Sequence, residues 1–136
     1  MRLGVNLWTV YGWEPAELVS VGALEALQRM GAEAVELVIG EGYCTAGSLL
    51  AESSRLLPRL GDLGLSVPGI ASRLFWKHNL ASNDEALRWG GIAAIEQQCA
   101  VARAYRAGVA LVVAGTQEPR TSYDRQADLI INEKAS

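Results

Sequence analysis

Three stretches of the chain follow one pattern of apolar and polar positions. In "LEALQRMGAEAVELVIG", "RLLPRLGDLGLSVPGIAS" and "ARAYRAGVALVVAGT", an amphipathic helical repeat meets a glycine and then a short apolar run. Gly31, Gly64 and Gly108 stand where a helix end calls for a left-handed residue. The runs that follow, about 33–39, 66–72 and 109–114, are rich in Val, Ile, Leu and Ala, as strands are. An opening run, about 2–8, has the same character without a preceding helix. The spacing is that of βαβ units. It predicts the order β-α-β-α-β-α-β.

The helical faces agree with this order. Leu18, Val21, Leu24, Leu27 and Met30 align in the first helix, and Leu49, Leu50, Leu56, Leu57, Leu60 and Leu63 in the second. Ile92, Ile95, Cys99 and Ala102 make the stripe of the third, with "SND" at 82–84 as its N-cap region. Pro58 either kinks the second helix or starts a separate short piece, because an interior proline costs about 3 kcal/mol.

Crossovers this short imply parallel strands joined right-handedly, so the architecture is α/β. An open doubly wound sheet and a (β/α)8 barrel both satisfy that rule. Strand content separates them. Leu3, Val5 and Leu7 alternate with Gly4, Asn6 and Trp8; Val35, Leu37 and Ile39 alternate with Ala34, Glu36 and Val38. One face is aliphatic, as under a helix layer, and the other carries small or polar residues, as in a barrel interior. The expected fold is therefore parallel (β/α) units making half of a TIM (β/α)8 barrel, in a single domain over 1–136. Residues from about 124 begin like a further helix, as if truncated.

Composition narrows the function classes. The chain has 136 residues, half of them hydrophobic, and a net charge of −3. That is enough apolar material for one core. Lys and Arg are scattered singly, without the basic stripe of a nucleic-acid surface. No apolar run reaches the 18 residues of a membrane span. The N-terminus shows no signal-peptide pattern, so a cytoplasmic location is expected. Cys44 and Cys99 have neither CxxC nor zinc spacing, and Cys99 is expected on the apolar side of its helix.

The chemistry-bearing candidates cluster after the strands. "GIASRLFWKHNLASND" places Phe75, Trp76, Lys77 and His78 in a loop, where exposed rings gain nothing from water. Phe75 and Trp76 are expected to wall a pocket, packing on the third helix or on Trp13. Glu36 within an apolar strand needs a partner: a substrate hydroxyl, or an ion pair with an arginine such as Arg73. Asn6 and Trp8 offer a polar contact and a ring for a sugar face. His78 has no second histidine with which to hold a metal, and fits a capping or solvent role or a contact at the pocket. "GEGYCTAG" at 40–47 lacks the GKS/T of a phosphate-binding loop and reads as an ordinary βα loop.

With "MRLGVNLW", "GAEAVEL", "GLSVPGIAS" and "RAGVALVVAG" in this order and spacing, the chain resembles the xylose isomerase-like TIM barrels of the sugar phosphate isomerase/epimerase type. The resemblance runs from Met1 to about Tyr123. It implies proton transfer on a sugar or sugar phosphate through an enediolate, with a divalent metal (Mn, Mg, Co or Zn). In that family the metal ligands and acid/base carboxylates come from the second half of the barrel, so none is carried onto this chain. What the resemblance and the residues together imply is substrate contact at Asn6, Trp8, Glu36, Phe75, Trp76 and His78, with a small-molecule sugar as ligand and no nucleic acid or membrane partner. The open edges of the first and last strands imply a homo-oligomer. The alternative is a non-catalytic half-barrel remnant that self-associates.

Overall fold

A computed structural model describes residues 3–11, 21–42 and 44–115. The elements, in chain order, are β1 (Gly4–Asn6), α1 (Leu7–Tyr11), α2 (Val21–Arg29), β2 (Ala34–Ile39), α3 (Ala46–Asp62), β3 (Gly69–Ser72), a 3-10 turn (Leu74–Trp76), α4 (Glu85–Ala104) and β4 (Val109–Leu111). The four strands form one parallel sheet in the order β1-β2-β3-β4. Leu18, Trp13 and the segment from 124 onward lie outside the described residues.

One face of the sheet is the core. Val35, Leu37, Ile39 and Ile70 pack with Leu24 and Leu27 of α2, Leu49, Leu56 and Leu60 of α3, and Val101 of α4, all at 2 % exposure or less. Tyr105 closes this core, its hydroxyl donating to the Leu49 carbonyl at 2.8 Å. Burial and the neighbouring Glu52 push the Tyr105 phenol up to about 12. Gln98, fully buried, donates from Nε2 to the Ile70 carbonyl at 2.5 Å and to the Leu111 carbonyl at 2.9 Å. One side chain thus ties α4 to two strands.

The first strand is shorter than the sequence pattern suggests. Asn6 Oδ1 accepts the Trp8 backbone N–H at 2.8 Å, an N-cap that turns the chain into α1 at Leu7. Trp8 therefore sits in the first turn of a helix and not at a strand end. The third strand begins at Gly69, Ser66 contributing only an isolated bridge to Ala34, and the fourth ends at Leu111. Helix α3 runs unbroken through Pro58. Pro58 and Ser54, whose carbonyl loses its i+4 donor, are both exposed, so that carbonyl is not left in the core.

Two helix faces also differ from the apolar stripes. Met30 is 62 % exposed, and Leu50 and Ile92 are exposed as well. Cys99 is exposed while Cys44 is buried, the reverse of the expected role for Cys99. The face that α4 buries is Gly91, Ala94, Gln98, Val101 and Ala102, shifted by about one position from the aliphatic stripe. Gly31 and Gly64 take the left-handed conformation, at φ 85° and 67°, but after α4 it is Arg106 that does so, at φ 58°, and not Gly108. Asp84 caps α4 as "SND" predicts, accepting the Ala86 N–H at 2.9 Å.

The shift in α4 is explained by Gly90 and Gly91. A Cβ on Gly91 would lie 2.6 Å from Leu80 Cδ2 and 2.9 Å from the His78 carbonyl oxygen; one on Gly90 would lie 2.4 Å from His78 Nδ1. The glycine pair is a notch into which residues 78–80 set. Helix propensity alone favours Gly91→Ala by ~1 kcal/mol, whereas the overlap with a backbone oxygen predicts destabilisation of about 1–3 kcal/mol. Urea unfolding of the variant decides between them, and a lowered midpoint is the expected result.

Candidate functional site

Asn6 and Glu36 meet on the face of the sheet opposite the helices. Strand register pairs Asn6 with Glu36. Gly69 stands beside Glu36, one residue before the Leu37–Ile70 pair, and Val109 pairs with Gly69. Parallel strands in register point paired residues to one side, so Asn6, Glu36, Gly69 and Val109 form a row across the sheet. The next row toward the strand C-termini holds Val38, Ala71 and Leu111. Val109 and Leu111 are 63 % and 45 % exposed, so this face opens to solvent along β4.

Glu36 has its partner within the row. Asn6 Nδ2 donates to Glu36 Oε2. The ion pair with Arg73 weighed as its alternative is not the arrangement found. The second oxygen, Oε1, lies over Gly69, where a Cβ would approach to 3.1 Å. The glycine therefore makes the room that the carboxylate occupies, which a sequence scan for polar residues does not reveal. Asn6 uses both ends of its amide: the oxygen caps α1 and the nitrogen orients a carboxylate.

Above this row the strand-end segments build an aromatic rim. Trp8 and Trp76 meet edge to face, ring centroids 6.0 Å apart and planes at 87°. Trp76 remains 43 % exposed. Phe75 is fully buried, so it supports the turn from beneath and does not reach the surface. His78 is half-buried, its backbone N–H donating to the Leu74 carbonyl at 2.7 Å and its ring on Gly90. That placement packs the ring on α4. Asn79, which the sequence did not single out, is buried beside Gly115 and accepts the Ala81 N–H at 2.9 Å.

Lys77 reaches across the rim to Glu41 in the segment after β2, at 2.5 Å. Lys77 holds the Glu41 carboxyl below its ordinary 4.5, with smaller contributions from His78 and Arg73. Among the described residues no group of three or more His, Cys, Asp or Glu comes together to hold a metal ion. The divalent metal that the resemblance implies thus does not fit the residues described. Nor is any described helix long and apolar enough to cross a membrane.

The fold can be compared with solved structures. The 3-keto-D-glucoside 4-epimerase YcjR from E. coli, in its apo form, superposes with a TM-score of 0.67 at 14 % identity, over 99 % of this chain and 49 % of that one. The fold is one half of a TIM barrel. A probable 3-DHS dehydratase, AsbF, involved in petrobactin synthesis in Bacillus anthracis, matches with a TM-score of 0.63 at 17 % identity, over 99 % of this chain and 46 % of that one. A D-psicose 3-epimerase solved in the presence of D-fructose matches with a TM-score of 0.62 at 18 % identity, over 97 % and 47 %. The chain thus spans about half the length of these structures, whose fold is that of the xylose isomerase-like barrels. No protein-family model matches the sequence. No curated protein matches it significantly either.

The Asn6–Glu36 contact has a testable signature. Asn6→Asp keeps the cap on α1, since aspartate caps as well as asparagine, but turns a donor toward Glu36 into a second carboxylate. Like charges raise the folded-state pKa of the pair. The penalty is then absent below the unfolded carboxylate range and grows as pH rises through the folded value. We expect the variant to match the parent protein near pH 3 and to be about 1–3 kcal/mol less stable at pH 7, read by urea unfolding at both pH values.

Proposed function

We propose that the chain contributes half of the active barrel of a cytoplasmic sugar or sugar phosphate isomerase or epimerase, acting by proton transfer on a ketose or aldose. The observation that carries this reading is the Asn6–Glu36 pair on the open face of a half-barrel, beneath the Trp8–Trp76 rim. A carboxylate oriented by an amide accepts hydrogen bonds from sugar hydroxyls, and an indole face packs on the apolar side of a sugar ring. Two of the structures similar in fold are named as sugar epimerases, which supports the same substrate class. In this reading the complementary half supplies the metal ligands and the acid and base groups. Asn6, Trp8, Glu36 and Trp76 bind and orient the sugar. Phe75 and His78 act from behind, through the loop they anchor.

Binding by this face is testable on the 136-residue chain. Titration with D-fructose and with D-psicose is expected to perturb tryptophan fluorescence, and Trp8→Phe and Glu36→Gln are each expected to weaken binding at least tenfold. A titration with no saturable change overturns the assignment. In the completed barrel, epimerisation is expected to stop on chelation and return with Mn²⁺; activity that survives chelation removes the metal from the proposal.

A second reading rests on the exposed edge. Val109, Leu111, Val112 and Ile92 present apolar side chains along β4 and α4 at 39–63 % exposure. Among the described strands β4 is an edge, and a parallel edge invites a further strand. Two copies related by a two-fold axis through the barrel centre would set each β4 beside the partner's β1, closing eight parallel strands. Sedimentation velocity should then give a dimer that Leu111→Lys dissociates. A folded monomer at micromolar concentration sinks the homo-oligomer and leaves the edge for another half-barrel.

A further inference from the structure

A pocket opens on the same rim, at the corner between the segment after β2 and the turn after β3. A cavity of about 210 Å³ lies there, lined by Glu41, Arg73, Leu74, Trp76 and Lys77. Its position is fixed by the backbone: the Arg73 N–H donates to the Ile39 carbonyl at 2.8 Å, carrying the β2–β3 pairing one step past Ser72. The Arg73 side chain then runs along Gly40, where an added Cβ would touch Cδ and Nη1 at 3.7 Å. Lys77 stands opposite, and Glu41 is the one acid among the lining residues.

The charge of this corner opposes that of the chain. The sequence carries −3 overall, yet the described residues lining this corner include two cations, Arg73 and Lys77, and one carboxylate, Glu41. The Lys77–Glu41 pair is more than 60 % exposed on both sides, the class of ion pair that contributes little and exchanges readily. Guanidinium groups present a planar fork to oxyanions, and a lysine adds a mobile point charge. We propose that this corner is an oxyanion subsite that takes the phosphate group of a sugar phosphate, Arg73 fixing the phosphate and Lys77 leaving Glu41 to join it. Trp76 lines the corner and meets Trp8, so a sugar attached to that phosphate extends toward the Asn6–Glu36 row. The proposal rests on the reading of this face as a sugar site and names the class of sugar.

The test is a ¹H–¹⁵N titration of the 136-residue chain at constant ionic strength, with three probes: inorganic phosphate, a hexose 6-phosphate and the corresponding neutral hexose. The phosphate is expected to shift the amides of Glu41, Arg73, Leu74 and Lys77, and the Trp76 indole. Arg73→Gln should weaken phosphate binding at least tenfold and Lys77→Gln severalfold, while Glu41→Gln, which frees Lys77, should tighten it severalfold. The hexose phosphate should bind at least tenfold tighter than inorganic phosphate. Lys77→Gln and Glu41→Gln alter exposed side chains and keep the test open if Arg73→Gln does not fold. Shifts scattered over other basic residues, or a Glu41→Gln variant that binds no tighter, overturn the subsite. If phosphate binds as expected and the neutral hexose does not, the subsite stands and the sugar reading of the Asn6–Glu36 row fails. If the hexose binds and phosphate does not, the subsite alone falls. A hexuronate that competes as well as the hexose phosphate overturns phosphate as the preferred group.

Discussion

A carboxylate in the middle of a parallel strand cannot be treated as an ordinary strand residue. Glu36 sits between Val35 and Leu37, both fully buried on the helix side. The pleat then sends Glu36 to the other face. Putting it under a second helix layer would bury a charge with few partners, which is costly. The sheet answers with Asn6 from the neighbouring strand and an empty position at Gly69. That face keeps a half-buried polar row beside the buried Val38 and Ala71, while the largest packed side chains lie on the other side. One layer of helices on a curving parallel sheet is the geometry of a barrel wall.

The strand-end rim depends in turn on a backbone contact far from Glu36. Residues 78–80 set into the Gly90–Gly91 notch of α4, and this holds the turn that carries Phe75 inward and Trp76 outward. Trp76 then meets Trp8, whose place in α1 is set by the Asn6 cap. Asn6 therefore links three things: the end of β1, the orientation of Glu36 and the position of an indole. Lys77, from the same turn, reaches Glu41 after β2. Three successive strand-end segments are tied across the mouth by one ring contact and one ion pair.

Much of the architecture was legible in the sequence because it rests on periodicity. The alternation in Val35–Ile39, the glycine stops at Gly31 and Gly64, and the Asp84 cap are local signals, and each is present in the structure. The failures have a common cause: a tertiary contact outranked a hydrophobic count. Ile92 and Cys99 make a plausible stripe, but α4 turns Gly91, Ala94 and Gln98 inward because a loop must approach its backbone. Gln98 is polar in sequence and central in the core, since two strand carbonyls use its amide. Of the candidate site residues, Asn6, Glu36, Trp8 and Trp76 share one end of the molecule, and Phe75 and His78 belong to its support. What drew attention to the last two was residue type, which says nothing about the direction in which a loop side chain points.

For the proposed epimerisation, a half-barrel supplies only one side of the reaction. Inversion at a sugar carbon needs a proton removed from one side and another delivered to the opposite side. Side chains that project from four adjacent strands approach a bound sugar from one direction only. In the proposed reaction Glu36 orients a hydroxyl from that direction, and Gly69 leaves the room its carboxylate occupies. In that proposal the groups that act from the far side come from strands beyond β4, the edge among the described strands, where Val109 and Leu111 are exposed. The same exposed pair that invites further strands therefore marks the direction in which the rest of the reaction site would be built.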